Sequence, residues 1–169
     1  MLKNKWKIIA LLVAIILVLM VPTVRAENEV TNEDVSVNPI SEDPEDNFKR
    51  GDVYLTGDNV TIDYVVDGNL FVFANSLTIN SQIGGDVFVI ANSVNVGEQG
   101  YVFSNLFALS NNVTISGVVY DLYTSSNNVT INGYIYRDIR VISNSLNING
   151  IVGRNAYVKT NAINFATGS

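Results

Sequence analysis

The chain has 169 residues, of which 10 are basic and 16 acidic, and it contains no histidine and no cysteine, with a net charge of −6 at pH 7. This composition excludes nucleophilic triads and dyads that need histidine or cysteine, zinc sites built from those ligands, and disulfide frameworks. The acidic balance also argues against nucleic acid as a partner, because binding to phosphate backbones depends on their neutralisation by lysine and arginine.

Residues 1–26 predict an export signal. Three lysines within the first seven residues precede an apolar run from Ile8 to Val21, and small residues follow up to Ala26. The run is shorter than the roughly 20 residues that a membrane-spanning helix needs, so we expect cleavage after Ala26, with an uncleaved N-terminal anchor as the alternative. Because the lysines precede the apolar run, both alternatives place the rest of the chain outside the cytoplasm, either secreted or tethered to the membrane at the cell envelope.

Residues 27–50 predict a disordered acidic linker. This segment holds eight of the 16 acidic residues, two prolines and few large apolar side chains. Such a composition buries too little apolar surface to offset the entropy lost when the chain becomes ordered. We therefore expect a flexible tether between the N-terminal segment and residues 51–169.

Residues 51–169 form a sequence repeat. The apolar residue after each Asn-rich step recurs at spacings of 17, 17, 19, 16, 17 and 17, at Val60, Leu77, Val94, Val113, Val129, Leu146 and Ile163. Further apolar columns follow the two-residue alternation of strands, and the segment has no helical periodicity. One unit cannot bury a core alone, whereas stacked units can. The repeat therefore predicts an all-β fold, a single-stranded parallel β-helix of about seven coils of roughly 17 residues.

Stacking at about 4.8 Å per coil converts each column into a ladder along the axis. One column starts at Asp58 and continues as Asn75, Asn92, Asn111, Asn127, Asn144 and Asn161. Stacked amides can hydrogen-bond from coil to coil, and asparagine tolerates the left-handed backbone that we expect at a corner. We interpret this column as a structural Asn ladder.

The strand before this corner has an aromatic outer face, which we call the aromatic stripe. Its first column is Tyr54, Phe71, Phe88, Phe107, Tyr123 and Tyr157, interrupted by Arg140, and its second column includes Phe73, Ile90, Leu109 and Ile142. This exceeds the contiguous apolar surface that soluble monomers normally expose. Two interpretations stay open: stacking that only stabilises the sheet, and a lateral contact with another copy or with an apolar envelope surface.

The strand after the corner presents a Thr/Asn face, made of Thr61, Thr78, Asn95, Thr114, Thr130, Asn147 and Asn164. Regular threonine arrays on β-solenoids resemble the ice-binding surfaces of antifreeze proteins. The alternative function is therefore a surface-binding solenoid, adhesin-like or ice-binding, that uses the Thr/Asn face or the aromatic stripe. Threonine is also a favoured polar residue at any exposed strand position.

No catalytic, cofactor-binding or metal-binding constellation is predicted. Four aspartates share one column, at Asp52, Asp86, Asp121 and Asp138, but only the last two occupy adjacent coils, where Arg137 and Arg140 would neutralise them. We expect these carboxylates to serve turns and not paired acid/base chemistry. Coils of 16 to 19 residues also leave no long loops to form a cleft. The sequence thus predicts a protein that is not an enzyme and uses neither cofactor nor nucleotide.

Charge is separated along the predicted axis. Acidic residues lie at the start, at Asp52, Asp58, Asp63 and Asp67, and basic residues lie at the end, at Arg137, Arg140, Arg154 and Lys159. Contact between the acidic and the basic end would favour open head-to-tail stacking, and solvated surface charge is the alternative. The seventh unit stops at Ser169 before a third strand, which indicates either a fragment or an unpaired edge.

The units share a short pattern of Gly, Asp, Asn and apolar residues. Examples are Gly85-Asp-Val-Phe-Val-Ile-Ala-Asn-Ser-Val94 and the Asn-Val-Thr-Ile segments at 59–62, 112–115 and 128–131. Over residues 51–169 the pattern resembles the bactofilins, the polymer-forming cytoskeletal β-helix family. The resemblance implies a right-handed, three-sided β-helix that associates end to end without nucleotide, and it transfers no active-site residues.

Bactofilins are typically cytoplasmic, whereas this chain carries a predicted export signal. The resemblance therefore points to an exported or membrane-tethered relative of that family. We expect a non-enzymatic structural protein, a self-assembling, polymer-forming β-helix scaffold at the cell envelope. Its expected partners are its own copies and a membrane or cell-wall surface.

Overall fold

The structure, a computed structural model, describes residues 47–166, which form twelve β-strands. The seven long strands are β2 (Val53–Ile62), β4 (Leu70–Ile79), β6 (Val87–Val96), β7 (Tyr101–Ile115), β8 (Val118–Ile131), β10 (Ile139–Ile148) and β12 (Ala156–Phe165). The short strands are β1 (Phe48–Lys49), β3 (Val65–Val66), β5 (Gln82–Ile83), β9 (Tyr134–Ile135) and β11 (Ile151–Val152). Within this range there is no helix long and apolar enough to cross a membrane.

All described strand pairs are parallel and join equivalent residues of successive repeats. β2 pairs with β4 from Val53 opposite Leu70 to Ile62 opposite Ile79, and the same register continues through β6, β7, β8, β10 and β12. The strands therefore stack as a β-solenoid of about seven turns, and the predicted fold class is confirmed. We number the coils one to seven by the aromatic-stripe residues Tyr54, Phe71, Phe88, Phe107, Tyr123, Arg140 and Tyr157.

The long strands cover two sides of their coil and bend between them at the Asn ladder, and β7 and β8 also include the third side, at residues 101–102 and 118–119. In the second coil, Val72 is buried before the bend and Leu77 after it. These positions are five apart, so the inward alternation resumes out of phase, and the consecutive residues Asn75 and Ser76 both face away from the core. The short pairs, such as β3 with β5, form the third side.

The bend does not use the left-handed backbone that we expected for asparagine, and that expectation was wrong. Among residues 47–166, no residue other than glycine has a positive φ, and the glycine that does is Gly51, at 77°. Small side chains line the inner side of the bend instead, at Gly57, Ala74, Ala91, Ser110, Ser126, Ser143 and Thr160. Because these side chains are short, the backbone can turn while it stays extended.

The core consists of aliphatic columns that are partly covered in the first coil, where Val53, Leu55 and Val60 are half-buried, and most exposed in the seventh. Ile62 and Val66 are fully buried in the first coil. In the seventh coil, the residues at the inward positions are uncovered, so that Ile163 is 42% exposed and Phe165 is 66% exposed. β12 is paired with β10 alone among the described strands, so nothing in this range covers its outer edge.

The solenoid starts slightly earlier than the sequence predicts. Phe48 and Lys49 belong to the segment predicted as linker, but they form β1 and pair with Val65 and Val66. The predicted signal or anchor at residues 1–26 and the linker up to residue 46 lie outside the described residues.

Candidate interaction surfaces

The first column of the aromatic stripe is a continuous stack of rings. The ring centroids of Tyr54 and Phe71 are 4.7 Å apart, those of Phe71 and Phe88 5.1 Å, and those of Phe88 and Phe107 4.9 Å, with interplanar angles of 6 to 7°. Phe107 and Tyr123 follow at 4.8 Å and 24°. Because the rings face one another along the axis, the stripe presents ring edges to solvent.

Arg140 fills the sixth place of this stack. Its guanidinium carbon lies 5.1 Å from the ring centroid of Tyr123 and 5.0 Å from that of Tyr157. Arg140 also donates a 3.0 Å hydrogen bond from Nη1 to the Tyr123 hydroxyl oxygen. The planar cation therefore continues the column between two aromatic rings and gives that end of the stripe a positive charge.

The second column of the stripe is the more exposed one. Phe73 is 65% exposed, Leu109 54% and Ile142 57%, and Ile90 is 37% exposed. Ring stacking accounts for the first column, but it covers none of these side chains. The two columns together form an apolar surface that is two residues wide in the second to fourth coils, and Ser125 interrupts the second column in the fifth coil.

The Asp/Asn column before the stripe is a directional hydrogen-bond ladder. In four steps, a side-chain oxygen accepts a bond from the backbone N–H of the equivalent residue one coil on: Asn69 to Asp52 at 2.9 Å, Asp86 to Asn69 at 2.8 Å, Asn105 to Asp86 at 3.0 Å and Asp138 to Asp121 at 2.9 Å. Asn155 continues it onto Asp138 at 3.2 Å. These carboxylates are therefore occupied in holding successive coils together.

The carboxyl groups of Asp86 and Asp138 have shifted acidities. Burial alone would raise the pKa of Asp86, but bonds from the Ser104 hydroxyl and from the backbone and side chain of Asn105 outweigh it and hold the pKa below its usual value. For Asp138, burial again opposes the shift, and bonds from Asn155 together with the charges of Arg154 and Arg140 lower the pKa. Both groups are thus stabilised as anions.

The basic residues predicted for end-to-end contacts are largely used within the rod. Arg137 forms a 3.0 Å ion pair with the buried carboxylate of Asp121. Arg154 forms the ion pair with Asp138 at 3.2 Å, whereas Arg140, expected to neutralise this aspartate column, stacks on tyrosines. Of the four predicted basic contacts, Lys159 alone has no hydrogen bond, ion pair or ring contact within residues 47–166.

Most of the acidic residues predicted for end-to-end contacts also form hydrogen bonds within the rod. Asp67 accepts a 2.7 Å bond from the Gly51 N–H, and Asp63 accepts a 2.9 Å bond from the Asn80 amide. Asp52 starts the ladder described above. Asp58 is exposed and makes no hydrogen bond or ion pair in the described range, so its charge is available to another molecule.

The Asn ladder is bonded over its last three members. The Asn144 amide donates to the Asn127 side-chain oxygen, and the Asn161 amide donates to that of Asn144 at 2.9 Å. Asn75, Asn92 and Asn111 are exposed and make no amide-to-amide bond with one another in the described coils. On the Thr/Asn face the matching bond joins Asn164 to Asn147 at 2.9 Å.

A second aromatic cluster on the third side was missed by the sequence interpretation. Tyr101 and Phe103 lie 4.1 Å apart, Tyr120 and Tyr136 stack at 4.9 Å, and Tyr134 meets Tyr136 edge-on at 6.0 Å. Arg137 lies over the Tyr120 ring at 5.0 Å. The available signal was an aromatic residue on each side of a buried aliphatic one, as in Tyr134-Ile135-Tyr136.

The described residues contain no group of three or more acidic side chains arranged to hold a metal ion.

Comparison of the chain with protein-family models, with curated proteins and with solved structures finds no match.

Proposed function

We propose that this protein is a structural, non-enzymatic β-solenoid that self-associates as a scaffold at the cell envelope, as an exported relative of the bactofilins that its repeat resembles. The observation that carries the proposal is the regular register, in which each coil presents to the next the same strand edge and the same apolar columns. Ile163 and Phe165 occupy core positions and yet are exposed, and the outer edge of β12 has no described partner. A further coil would bury both side chains and pair the edge.

A second copy offers a matching surface at its first coil. β2 pairs with β4 on one edge and with no other described strand on the opposite edge. Continuation of the internal register would place Val60 and Ile62 of that copy over Ile163 and Phe165. It would also place Thr56 opposite Lys159 and Asp58 opposite Asn161, so that the Asp58 carboxylate lies two residues along the strand from the Lys159 ammonium, within reach of the long lysine side chain.

The use of the carboxylates supports a role without catalysis. Asp52, Asp86, Asp121 and Asp138 all accept ladder bonds, and the last two are also ion-paired. A general acid or base needs a carboxyl group free to exchange a proton with substrate, and the carboxylates of this column are bonded to backbone N–H groups of the next coil. The predicted export signal supports an envelope location.

The test is electron microscopy of the full chain beside a Phe165→Asp variant. We expect elongated polymers for the unchanged chain and short or single rods for the variant, because a buried charge at the junction is costly. Thr130→Asp on the Thr/Asn face is the matched control and should still polymerise. Single rods at every concentration of the unchanged chain would contradict the proposal.

The Thr/Asn face supports a second candidate, a surface-binding solenoid. Its residues are in register from Thr61 opposite Thr78 to Asn147 opposite Asn164, so uncharged hydrogen-bonding groups repeat at strand spacing. Such an array fits a repetitive surface such as ice. Thermal hysteresis that disappears in a Thr114→Lys variant would favour this candidate over the scaffold.

A further inference from the structure

We infer that the aromatic stripe is the interface between two antiparallel copies of this chain, which meet face to face about a two-fold axis at the fourth coil. The inference rests on the proposed function in one respect, that the chain associates with itself. It adds which side face is buried, which residues meet and in which orientation.

The stripe is built as a surface that another molecule covers. Phe73, Leu109 and Ile142 in its second column are all more than half exposed, in the second, fourth and sixth coils. Soluble monomers rarely keep an apolar strip of this length open to water. The first column is rigid because its rings and Arg140 are stacked, so little side-chain entropy is lost when a partner covers it.

Charge at the two ends of the stripe selects its own copy as the occupant. Asp52 and Asp58 flank the first-coil segment that carries Tyr54, and no basic residue lies on the stripe in that coil. Arg140 and Lys159 lie on the stripe in the sixth and seventh coils. One face therefore carries negative charge at one end and positive charge at the other, with apolar side chains between them.

An antiparallel arrangement of two copies brings these unlike ends together. The first coil of one copy then faces the seventh coil of the other, so Lys159 faces Thr56 and the Asp58 carboxylate lies two residues further along that strand. A parallel arrangement would instead place the acidic ends side by side and the basic ends side by side, which costs free energy at both. The charge pattern thus fixes the orientation as well as the partner.

The side chains are also self-complementary in the antiparallel arrangement. A two-fold axis along the strand direction keeps each column opposite itself and reverses the order of the coils. Leu109 then faces Leu109 on the axis, Phe73 faces Ile142, and Ile90 faces Ser125. In the first column, Phe71 faces Arg140, whose aliphatic part packs against the ring edge, and the electropositive edge adds no cation–π attraction.

The area of the stripe is small for an interface between two copies that has to be stable without any other contact. Seven coils at about 4.8 Å and a width of two outward residues give roughly 450 Å² per copy, or about 900 Å² in total. This lies at the low end for specific interfaces, which bury about 1,200–2,000 Å². Side pairing would therefore be stable mainly where the same rods also join at their ends.

Single cysteines test the arrangement cleanly, since the chain has none of its own. We would introduce Leu109→Cys, Phe73→Cys and Ile142→Cys separately into the full chain and treat intact cells with a short bis-maleimide cross-linker before lysis, because facing sheets lie about 10 Å apart, beyond the reach of a direct disulfide. The antiparallel interface predicts a product of twice the chain mass for Leu109→Cys alone. It predicts no such product for Phe73→Cys alone, because its two copies lie four coils, about 19 Å, apart.

Co-expression of Phe73→Cys with Ile142→Cys should restore the product, and Thr114→Cys on the Thr/Asn face is the matched control that should give none. Cross-linking of Phe73→Cys to itself would overturn the antiparallel orientation in favour of a parallel one. Absence of a Leu109→Cys product in a chain that still forms polymers would overturn the interface and leave the scaffold intact. A chain that neither cross-links nor polymerises would contradict both proposals.

A lipid surface is the other occupant that the experiment must separate. The full chain carrying Leu109→Cys, labelled with a polarity-sensitive dye, would be mixed with vesicles of phosphatidylethanolamine and phosphatidylglycerol. The interface between copies predicts no spectral shift on mixing. A shift to the blue that depends on vesicles, together with loss of the cross-link when unlabelled Leu109→Cys chain is mixed with the same vesicles, would assign the stripe to lipid and overturn the inference.

Discussion

Arg140 replaces an aromatic ring next to Tyr123. Its guanidinium carbon lies 5.1 Å from the Tyr123 ring centroid, and it donates a 3.0 Å hydrogen bond to the hydroxyl oxygen of the same tyrosine. Tyr157 covers its other face at 5.0 Å. A positive charge is thus carried on an aromatic column without a break in the stack, and this gives the stripe its polarity along the rod.

Removal of this cation should weaken the last coils. Arg140→Ala loses two cation–π contacts, each worth about 0.5–1 kcal/mol at an exposed site, so we expect the free energy of unfolding to fall by about 1–2 kcal/mol. Arg140→Phe restores a ring to the stack and should stay within about 0.5 kcal/mol of the unchanged chain. Urea denaturation measures both, and equal stability of the two variants would contradict the stacking role.

The Asp/Asn ladder predicts which substitutions its column accepts. Asn69→Ala removes the oxygen that accepts the Asp86 N–H at 2.8 Å, so we expect a loss of about 0.5–1.5 kcal/mol. Asn69→Asp keeps that oxygen but places a third carboxylate between Asp52 and Asp86, so at high salt, which screens the repulsion, it should lose less stability than Asn69→Ala. If denaturation shows that both variants lose equal stability, the side-chain oxygen is not what the position requires.

The lowered pKa values of Asp86 and Asp138 predict loss of stability in acid. Each carboxyl group has a folded-state pKa below its value in the unfolded chain, which is about 3.9 for aspartate. Their stabilising contribution is therefore fully present above about pH 4 and disappears as the pH falls through the folded-state pKa. Thermal melts between pH 7 and pH 2 should show a midpoint that falls in the acid range.

A matched pair of variants assigns that acid dependence. Asp86→Asn keeps an oxygen for the Asn105 N–H but removes the carboxyl group, so its melting point should fall less steeply with acid. Asp58→Asn is the control, because the Asp58 side chain is exposed and unbonded in the described coils. An equal change in slope for both variants would count against the ladder as the source.

Close packing between coils predicts a strict requirement for one glycine. A Cβ atom on Gly133 would collide with the carbonyl oxygen of Gly117 in the coil before it. We expect Gly133→Ala to cost about 1–3 kcal/mol through this overpacking. At Gly57 an added Cβ meets only Val60, at 3.6 Å, and the register partner is already Ala74, so Gly57→Ala should be neutral or slightly stabilising.

The comparison of these two glycine variants by denaturation is self-controlled. Both add a single methyl group, and both positions have a negative φ. A larger loss at Gly57 than at Gly133 would contradict the described packing between coils.

The fold could be predicted from the sequence because each column has one physical task. Burial of a charged side chain is costly, so Arg140 and Lys159 show which side of each strand faces solvent. Their neighbours Val141 and Val158 must then point inward, and both pack on the core. Once the spacing was known, the parallel register followed without further information.

The details that escaped prediction depend on local geometry. The bend at Asn75 needs a small inner neighbour, Ala74, and not a left-handed residue, which residue preferences alone do not indicate. Tyr120 lies in β8 and Tyr136 just after β9, where the alternation of aromatic and aliphatic residues covers only three positions, as in Tyr134-Ile135-Tyr136. Arg154 forms its ion pair with Asp138 because its side chain is long enough to extend to the coil before it. The repeat spacing alone does not show which side chains can make such contacts.

The central claim is that this chain associates with itself, and sedimentation velocity of the full chain over a hundredfold range of concentration tests it most directly. The account predicts a sedimentation coefficient that rises with concentration, and a smaller rise for Phe165→Asp than for Thr130→Asp. A single species of monomer mass across the whole range, unaffected by either substitution, would contradict it.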